Sequence, residues 1–137
     1  MPGSIEIEIP VRTFSEANMR DHWRKRAERA RGQRDLACKT ALTHPRWSRV
    51  KYNAKYYGCT IELIRMGKTK KMDDDNLVRS LKAVRDGIAD ALLLDDGDIQ
   101  LTWKYDQSIK NKKYSVICRV VFNDKEEGEK DGEPLSE

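Results

Sequence analysis

The stretch that decides the fold runs from Asp73 to Asp98 and reads DDDNLVRSLKAVRDGIADALLLDDGD. Inside it, apolar residues recur every three to four positions, at Leu77, Leu81, Val84, Ile88 and Leu92. This spacing puts the apolar side chains on one face of a helix. We therefore predict an amphipathic helix with an acidic turn at each end, and we expect Asn76 to cap its start.

Short segments with alternating apolar residues flank this helix and predict four strands. They lie at Ser4 to Pro10, Tyr56 to Met66, Ile99 to Tyr105 and Tyr114 to Phe122. Residues 16–43 lack proline and carry alanines at helical spacing, which predicts a further helix. The order β-α-β-α-β-β indicates a single domain of the α/β (α+β) class, with helices packed on a small mixed sheet.

Three local features carry narrower expectations. Gly32 is expected to kink or break the first helix. Asp106 to Lys112 is expected to form a hairpin loop between the last two strands. Trp23 and Trp103 lie on apolar stripes, so we expect both side chains in the core.

The net charge of +4 on the 137 residues is unevenly distributed. Residues 123–137 contain seven acidic residues and two lysines, so this segment carries −5 and the rest of the chain +9. We predict a folded domain over residues 1–122 and a disordered acidic tail over residues 123–137. A basic domain favours a polyanionic partner, although charge alone fits solubility equally well.

The cysteines indicate a reducing compartment, and the hydropathy pattern indicates a chain without a membrane-spanning segment. Cys38, Cys59 and Cys118 are scattered and odd in number, which argues against a disulfide framework or a paired-cysteine zinc site. The chain starts without an apolar signal core and contains no apolar run long enough to cross a bilayer. We expect a cytoplasmic protein without a membrane partner.

The acidic turns contain residues that can bind a divalent cation. If the segment around Asp73 and Asp75 is extended, side chains two residues apart point the same way and can converge on one ion. A site with a small number of hard oxygen ligands suits Mg²⁺, and Mn²⁺ is an alternative. Each acidic turn alone is better explained as a cap or a solvated turn. Their pairing across one helix in a basic domain instead favours metal-assisted phosphodiester hydrolysis.

The pattern DDDNL at residues 73–77, followed by an amphipathic helix and the pair Asp95-Asp96 before a strand, resembles the RusA family of Holliday junction resolvases of bacteria and their prophages. The resemblance covers roughly residues 4–122, and its specific part is residues 73–96. It implies a homodimeric, Mg²⁺-dependent endonuclease that cuts four-way DNA junctions symmetrically during recombination and repair. The essential, metal-binding carboxylates that it implies are Asp73, Asp75 and Asp96.

Two positions depart from the family's pattern. The basic residue four positions after the second aspartate is usually lysine and is here Arg79. Arginine binds phosphate but does not act as a titratable base, so Arg79 is a catalytic candidate through phosphate binding. Lys82 lies about one helical turn further on. Asp98 stands where the family commonly has glutamine, and we interpret it as a turn residue.

The length of the helix raises the question of how Asp96 reaches the other two carboxylates. A straight helix over Asn76–Leu93 spans about 27 Å, whereas the ligands of one metal ion are close neighbours. Either Gly87 breaks the helix and the chain returns, or Asp96 meets the first acidic turn of a partner subunit across a two-fold axis. Both alternatives stay open at this point.

Basic residues near these turns are the expected DNA contacts. Between Arg20 and Arg34 the predicted helix has too few acids to neutralise its positive face. The lysine-rich loop before Asp73 adjoins the acids, so we expect it to lie near the bond that is cut. The residues assigned to DNA binding are Arg20, Arg24, Lys25, Arg29, Arg31, Lys68, Lys70, Lys71 and Lys82.

Three other functions fit the same residues. A nuclease that acts on another branched DNA or on simple duplex would need the same carboxylates. A non-catalytic DNA-binding protein would use the acids only as caps and turns. An interaction protein would use its acidic tail to bind a basic partner.

Overall fold

Residues 3–15, 19 and 22–123 are described by the computed structural model of the protein. In chain order the elements are β1 (Ser4–Ile9), α1 (Trp23–Leu42), α2 (Trp47–Tyr57), β2 (Cys59–Met66), α3 (Asp74–Leu92), β3 (Leu101–Ser108) and β4 (Ser115–Phe122). Together they form a single small domain of the α+β class, which confirms the predicted fold class.

The four strands form one mixed sheet in the order β1-β4-β2-β3. β4 is antiparallel to both β1 and β2, whereas β2 and β3 are parallel and are connected by α3. The register pairs Met66 with Ser108 at the carboxyl ends of the two parallel strands. The segment between β2 and α3 begins at this end of the sheet, where α/β proteins commonly bind their ligands.

One face of the sheet carries the core because side chains alternate along each strand. Along β1 and β2 every second residue is buried. These residues join the apolar faces of all three helices in one cluster. Its large, fully buried side chains include Ile9, Ile61, Leu63, Leu81 and Ile88.

α1 and α3 pack closely at Gly87. A Cβ atom at this position would lie 2.3 Å from the carbonyl oxygen of Arg34 and 2.8 Å from the Cβ of Ala37. α3 continues through Gly87 to Leu92, so the alternative in which this glycine breaks the helix is wrong. Its small size instead permits the close approach of α1. Beside the contact, Arg34 donates to both carboxylate oxygens of Asp90 at 2.6 and 2.8 Å.

Helix α2 lies where the sequence pattern predicts none. Its buried residues are Trp47, Val50 and Ala54. The Trp47 Nε1 donates to the carbonyl oxygen of Ala91 at 2.8 Å, which attaches α2 to α3. α2 extends through Tyr56, so the expectation of a strand from that residue is wrong, and β2 starts at Cys59.

Three narrower expectations are also wrong. α1 runs through Gly32 without a break. The loop over Asp106 to Lys112 does not form a hairpin, because β4 pairs with β1 and β2 and has no pairing with β3. Trp23 is 61% exposed at the start of α1, whereas Trp103 packs against the core as predicted.

The remaining expectations concern the membrane, the thiols and the tail. Among the described residues, no helix has both the length and the apolar character that a bilayer crossing requires. Cys38, Cys59 and Cys118 are free thiols. Of the predicted acidic tail over residues 123–137, everything after position 123 lies outside the described residues.

Candidate nucleic-acid interface and metal site

Asp73 is the residue that caps α3. Its Oδ1 accepts a hydrogen bond from the backbone N–H of Asn76 at 2.9 Å, and its Oδ2 accepts one from the Asn76 side-chain amide at 3.2 Å. The expectation that Asn76 itself caps the helix is therefore wrong. A capping aspartate satisfies one of the free N–H groups at the helix start and interacts favourably with the helix dipole. Asp73 is nevertheless exposed, so its carboxylate is accessible to a cation from the solvent.

Asp75 lies in the first turn of α3 and is exposed. Since the helix starts at Asp74, the extended segment on which the convergence of Asp73 and Asp75 was based does not exist. On a helix, neighbours in space are three or four residues apart. Asp75 therefore belongs with the residues one and two turns further along α3.

An exposed stripe follows Asp75 along α3. Val78 and Arg79 come three and four residues after Asp75, and Lys82 comes at the next turn. All three are exposed. Lys82 also forms an ion pair with Asp86, with Nζ 3.2 Å from Oδ2. Cationic side chains therefore extend along the helix from its acidic first turn.

Asp96 is held against the far part of the same stripe. The Arg85 Nε lies 3.1 Å from the Asp96 Oδ2, which makes this contact an ion pair. The same nitrogen makes no hydrogen bond among the described residues. The Trp103 Nε1 donates to the Asp96 carbonyl oxygen at 2.8 Å. The Arg85 guanidinium also lies over the Trp103 ring, 5.0 Å from its centroid. These contacts give Asp96 a defined position while leaving 36% of its side chain exposed.

Arg79, Lys82, Arg85 and Asp96 meet in one shallow groove of about 240 Å³, together with Val78 and Tyr105. We call this the α3 groove. Asp75 is not part of the groove lining and lies one helical turn before Val78 and Arg79. In the part of the chain that is described, no three acidic, histidine or cysteine side chains form a group that could hold a metal ion. One chain thus places Asp96 in the α3 groove and Asp75 one turn before it, but does not gather the three predicted ligands around one point.

The other predicted DNA contacts are distributed over two surfaces. On α1, Arg24, Lys25 and Arg31 are exposed, and the Arg29 guanidinium lies 5.4 Å from the centroid of the Phe14 ring. Before α3, the exposed lysines are Lys68, Lys70 and Lys71. Arg20 lies outside the described residues. A second groove lies between α1 and α3 and is lined by Arg26, Arg79 and Lys82 among others.

Two functional candidates escape the sequence analysis. Arg85 is one, and its signal is the continuation of the helical spacing from Lys82. Arg65 is the other, because it follows Cys59, Ile61 and Leu63 at period two and therefore lies on the buried face of β2. A charged residue at the end of a buried stripe is a recognisable signal, since charges are rarely buried without a partner.

Comparison with known proteins adds no relative. No protein-family model matches the chain, and neither a curated protein nor a solved structure matches it.

Proposed function

We propose that the protein is a Mg²⁺-dependent DNA endonuclease that resolves four-way junctions by paired symmetric nicks, as its resemblance to the RusA family implies. The observation that carries the proposal is the α3 groove. It brings Asp96 together with Arg79, Lys82 and Arg85, and Asp75 lies one helical turn before Arg79 on the same side of α3. Carboxylates beside phosphate-binding cations on one exposed surface are suited to phosphodiester hydrolysis.

The donor chemistry fits Mg²⁺, which takes one or two carboxylates and completes its shell with water and substrate phosphate. Asp73, Asp75 and Asp96 would hold the ion, and Mn²⁺ would be an alternative. When bound, the metal would polarise the scissile phosphate and lower the pKa of an attacking water. Arg79 would bind the developing negative charge as a catalytic residue, since it cannot take up a proton.

A homodimer is part of the proposal because one chain leaves the acids apart. An unbroken α3 supports the alternative in which the partner subunit completes the site. Two α3 helices packed antiparallel across a two-fold axis would bring Asp96 of one chain to the first acidic turn of the other. Two such sites would make the paired nicks that junction resolution requires.

The proposed substrate is branched DNA because the resemblance to the RusA family implies it. Two separate segments supply exposed cations, with Arg24, Lys25 and Arg31 on α1 and Lys70 and Lys71 in the loop before α3. A four-way junction has several duplex arms whose phosphates these cations could bind. The proposed setting is DNA recombination and repair in the cytoplasm of a bacterium or its prophage, where free thiols persist.

The test is cleavage of a synthetic four-way junction beside a matched linear duplex, with Mg²⁺ and with EDTA. We expect symmetric nicks on the junction alone, abolished by EDTA. Asp75→Asn should remove cleavage, whereas Asp74→Asn should retain it. Both aspartates are exposed in the first turn of α3, so the second variant controls for the loss of a helix-dipole charge.

A second candidate is a non-catalytic DNA-binding protein. It is favoured by the structural roles of two acids, since Asp73 caps α3 and Asp96 pairs with Arg85. Junction binding without cleavage at any divalent metal would support this candidate and refute the nuclease. Cleavage of the linear duplex at the same rate as the junction would refute junction specificity.

A further inference from the structure

Arg65 is a buried arginine that forms no ion pair among the described residues. It is the last member of the buried stripe of β2, and only 8% of the residue is exposed. Its Nε and Nη1 have no hydrogen-bond partner among the described residues. Burial lowers the pKa of Arg65, and the charge of Arg12 lowers it further while Tyr114 opposes them. A buried guanidinium without hydrogen-bond partners is unfavourable unless a group beyond the described residues bonds to it.

Thr13 is a second buried group of the same kind. It is 3% exposed, and its Oγ1 has no hydrogen-bond partner in the part of the chain that is described. Thr13 and Arg65 line the same cleft, which has a volume of about 390 Å³. Two independent donors at one place, one from the segment after β1 and one from β2, therefore lack a partner among the described residues. Buried polar groups normally have partners, so this pair indicates a ligand that accepts hydrogen bonds.

The charge around the cleft indicates an anion. Arg12, Lys70 and Lys71 line it, and Asp73 is the one acid among its described lining residues. The Arg12 guanidinium lies over the Tyr114 ring at 4.1 Å and over the Phe14 ring at 5.0 Å, which orients it by aromatic contact. The start of α3 adds the positive end of a helix dipole.

We infer that the cleft between residues 12–15, the end of β2 and the start of α3 binds a phosphate group, with Arg65 and Thr13 as its buried donors. The forked guanidinium, the hydroxyl and the surrounding cations match the oxygens of phosphate. Because the cleft includes Asp73, a phosphate there would lie beside the proposed site of cleavage. Its assignment to the DNA backbone rests on the proposed function.

The first test uses inorganic phosphate as the probe. Thermal unfolding is followed in phosphate and in chloride at equal ionic strength for the wild type, Arg65→Met and the control Lys104→Met. Lys104 is exposed on β3, and its register partner on β2 is Glu62. The neighbours of Glu62, Ile61 and Leu63, are buried, so Lys104 lies on the face of the sheet opposite to the core. We expect phosphate to raise the melting temperature of the wild type and of Lys104→Met, but not of Arg65→Met.

Arg65→Met should fold, because replacing an unpaired buried charge with an apolar side chain of similar length removes a destabilising group. In chloride its melting temperature should equal or exceed that of the wild type. Thr13→Val, which is nearly isosteric, should reduce the phosphate effect and gives a second reading if Arg65→Met does not fold. Absence of a phosphate-specific rise in the wild type, or its persistence in both variants, would overturn the site.

The second test asks whether the phosphate belongs to DNA. Affinity for a four-way junction is measured over a range of salt concentrations in EDTA. Loss of one phosphate contact in Arg65→Met should reduce the slope of log Kd against log salt by about one. An unchanged slope together with a lost phosphate effect would overturn the assignment to DNA. Neither test uses cleavage, so a wild type that binds without cutting refutes the nuclease and leaves this site standing.

Discussion

Replacement of Gly87 by alanine should separate α1 from α3. The new Cβ would lie 2.3 Å from the Arg34 carbonyl oxygen and 2.8 Å from the Ala37 Cβ. Both distances are well short of the ~3.5 Å at which such atoms pack comfortably, so α1 must move by about 1 Å. The obstacle is the backbone of a helix, and no flexible side chain can turn away to relieve it.

The expected magnitude follows from two opposing effects. Overpacking of a filled interior costs about 1–3 kcal/mol, and a backbone clash belongs at the upper end of that range. Alanine in place of glycine within a helix returns about 1 kcal/mol. Gly87→Ala should therefore lower the free energy of unfolding by about 2 kcal/mol.

Gly32→Ala is the matched control because Gly32 also lies inside a helix. A Cβ there would meet nothing within 4 Å among the described atoms. This variant should gain about 0.5–1 kcal/mol from helix propensity alone. Urea unfolding followed by circular dichroism measures both variants against the wild type. If Gly87→Ala proves as stable as the wild type, the close packing of α1 on α3 is incorrect.

Two further predictions concern charge and thiols. The hydrogen bond from Arg34 lowers the pKa of Asp90, so its stabilisation is complete above the unfolded pKa of about 3.9 and is lost as pH falls through the lower folded pKa. Asp90→Asn should lower the free energy of unfolding by under about 1 kcal/mol at pH 7, since this ion pair is exposed. In urea titrations this difference from the wild type should shrink as the pH is lowered from 7 to 3. A difference that stays constant with pH would contradict the ion pair. Burial raises the pKa of Cys59 and Cys118 to about 12. At pH 8 a thiol reagent should therefore modify Cys38 first in the native protein. Equal rates of modification for all three thiols would contradict the burial of Cys59 and Cys118.

Local periodicity predicts much of the fold. The spacing of Leu77, Leu81 and Val84 identifies α3, and period-two alternation locates all four strands, since both patterns follow from backbone geometry. Two of the strands, β2 and β3, start two or three residues later than predicted. The strand order is not available from such patterns, because β4 pairs with elements far away in the chain. The assumed hairpin is wrong for this reason.

Helix boundaries explain why part of the candidate site could not be predicted. Asp73 and Asn76 are both good capping residues, and only the structure shows that Asp73 caps and that α3 starts at Asp74. That start removes the basis for the convergence of Asp73 and Asp75. The pairing of Asp96 with Arg85 depends on how the turn after α3 folds back, which the local sequence does not determine.

The central claim is that Asp73, Asp75 and Asp96 complete one metal site across two chains. It is tested by mixing Asp73→Asn and Asp96→Asn proteins, refolding them together and measuring junction cleavage in Mg²⁺. Asparagine caps helices as well as aspartate, so Asp73→Asn should keep α3 intact.

Each variant alone should be inactive, and an equal mixture should recover about a quarter of the wild-type sites, because half of the dimers are mixed and each has one intact site. The recovered products should be single nicks. A wild type that cuts junctions, with a mixture that recovers nothing, would contradict a site shared between subunits. A wild type that cuts nothing would contradict the metal site altogether.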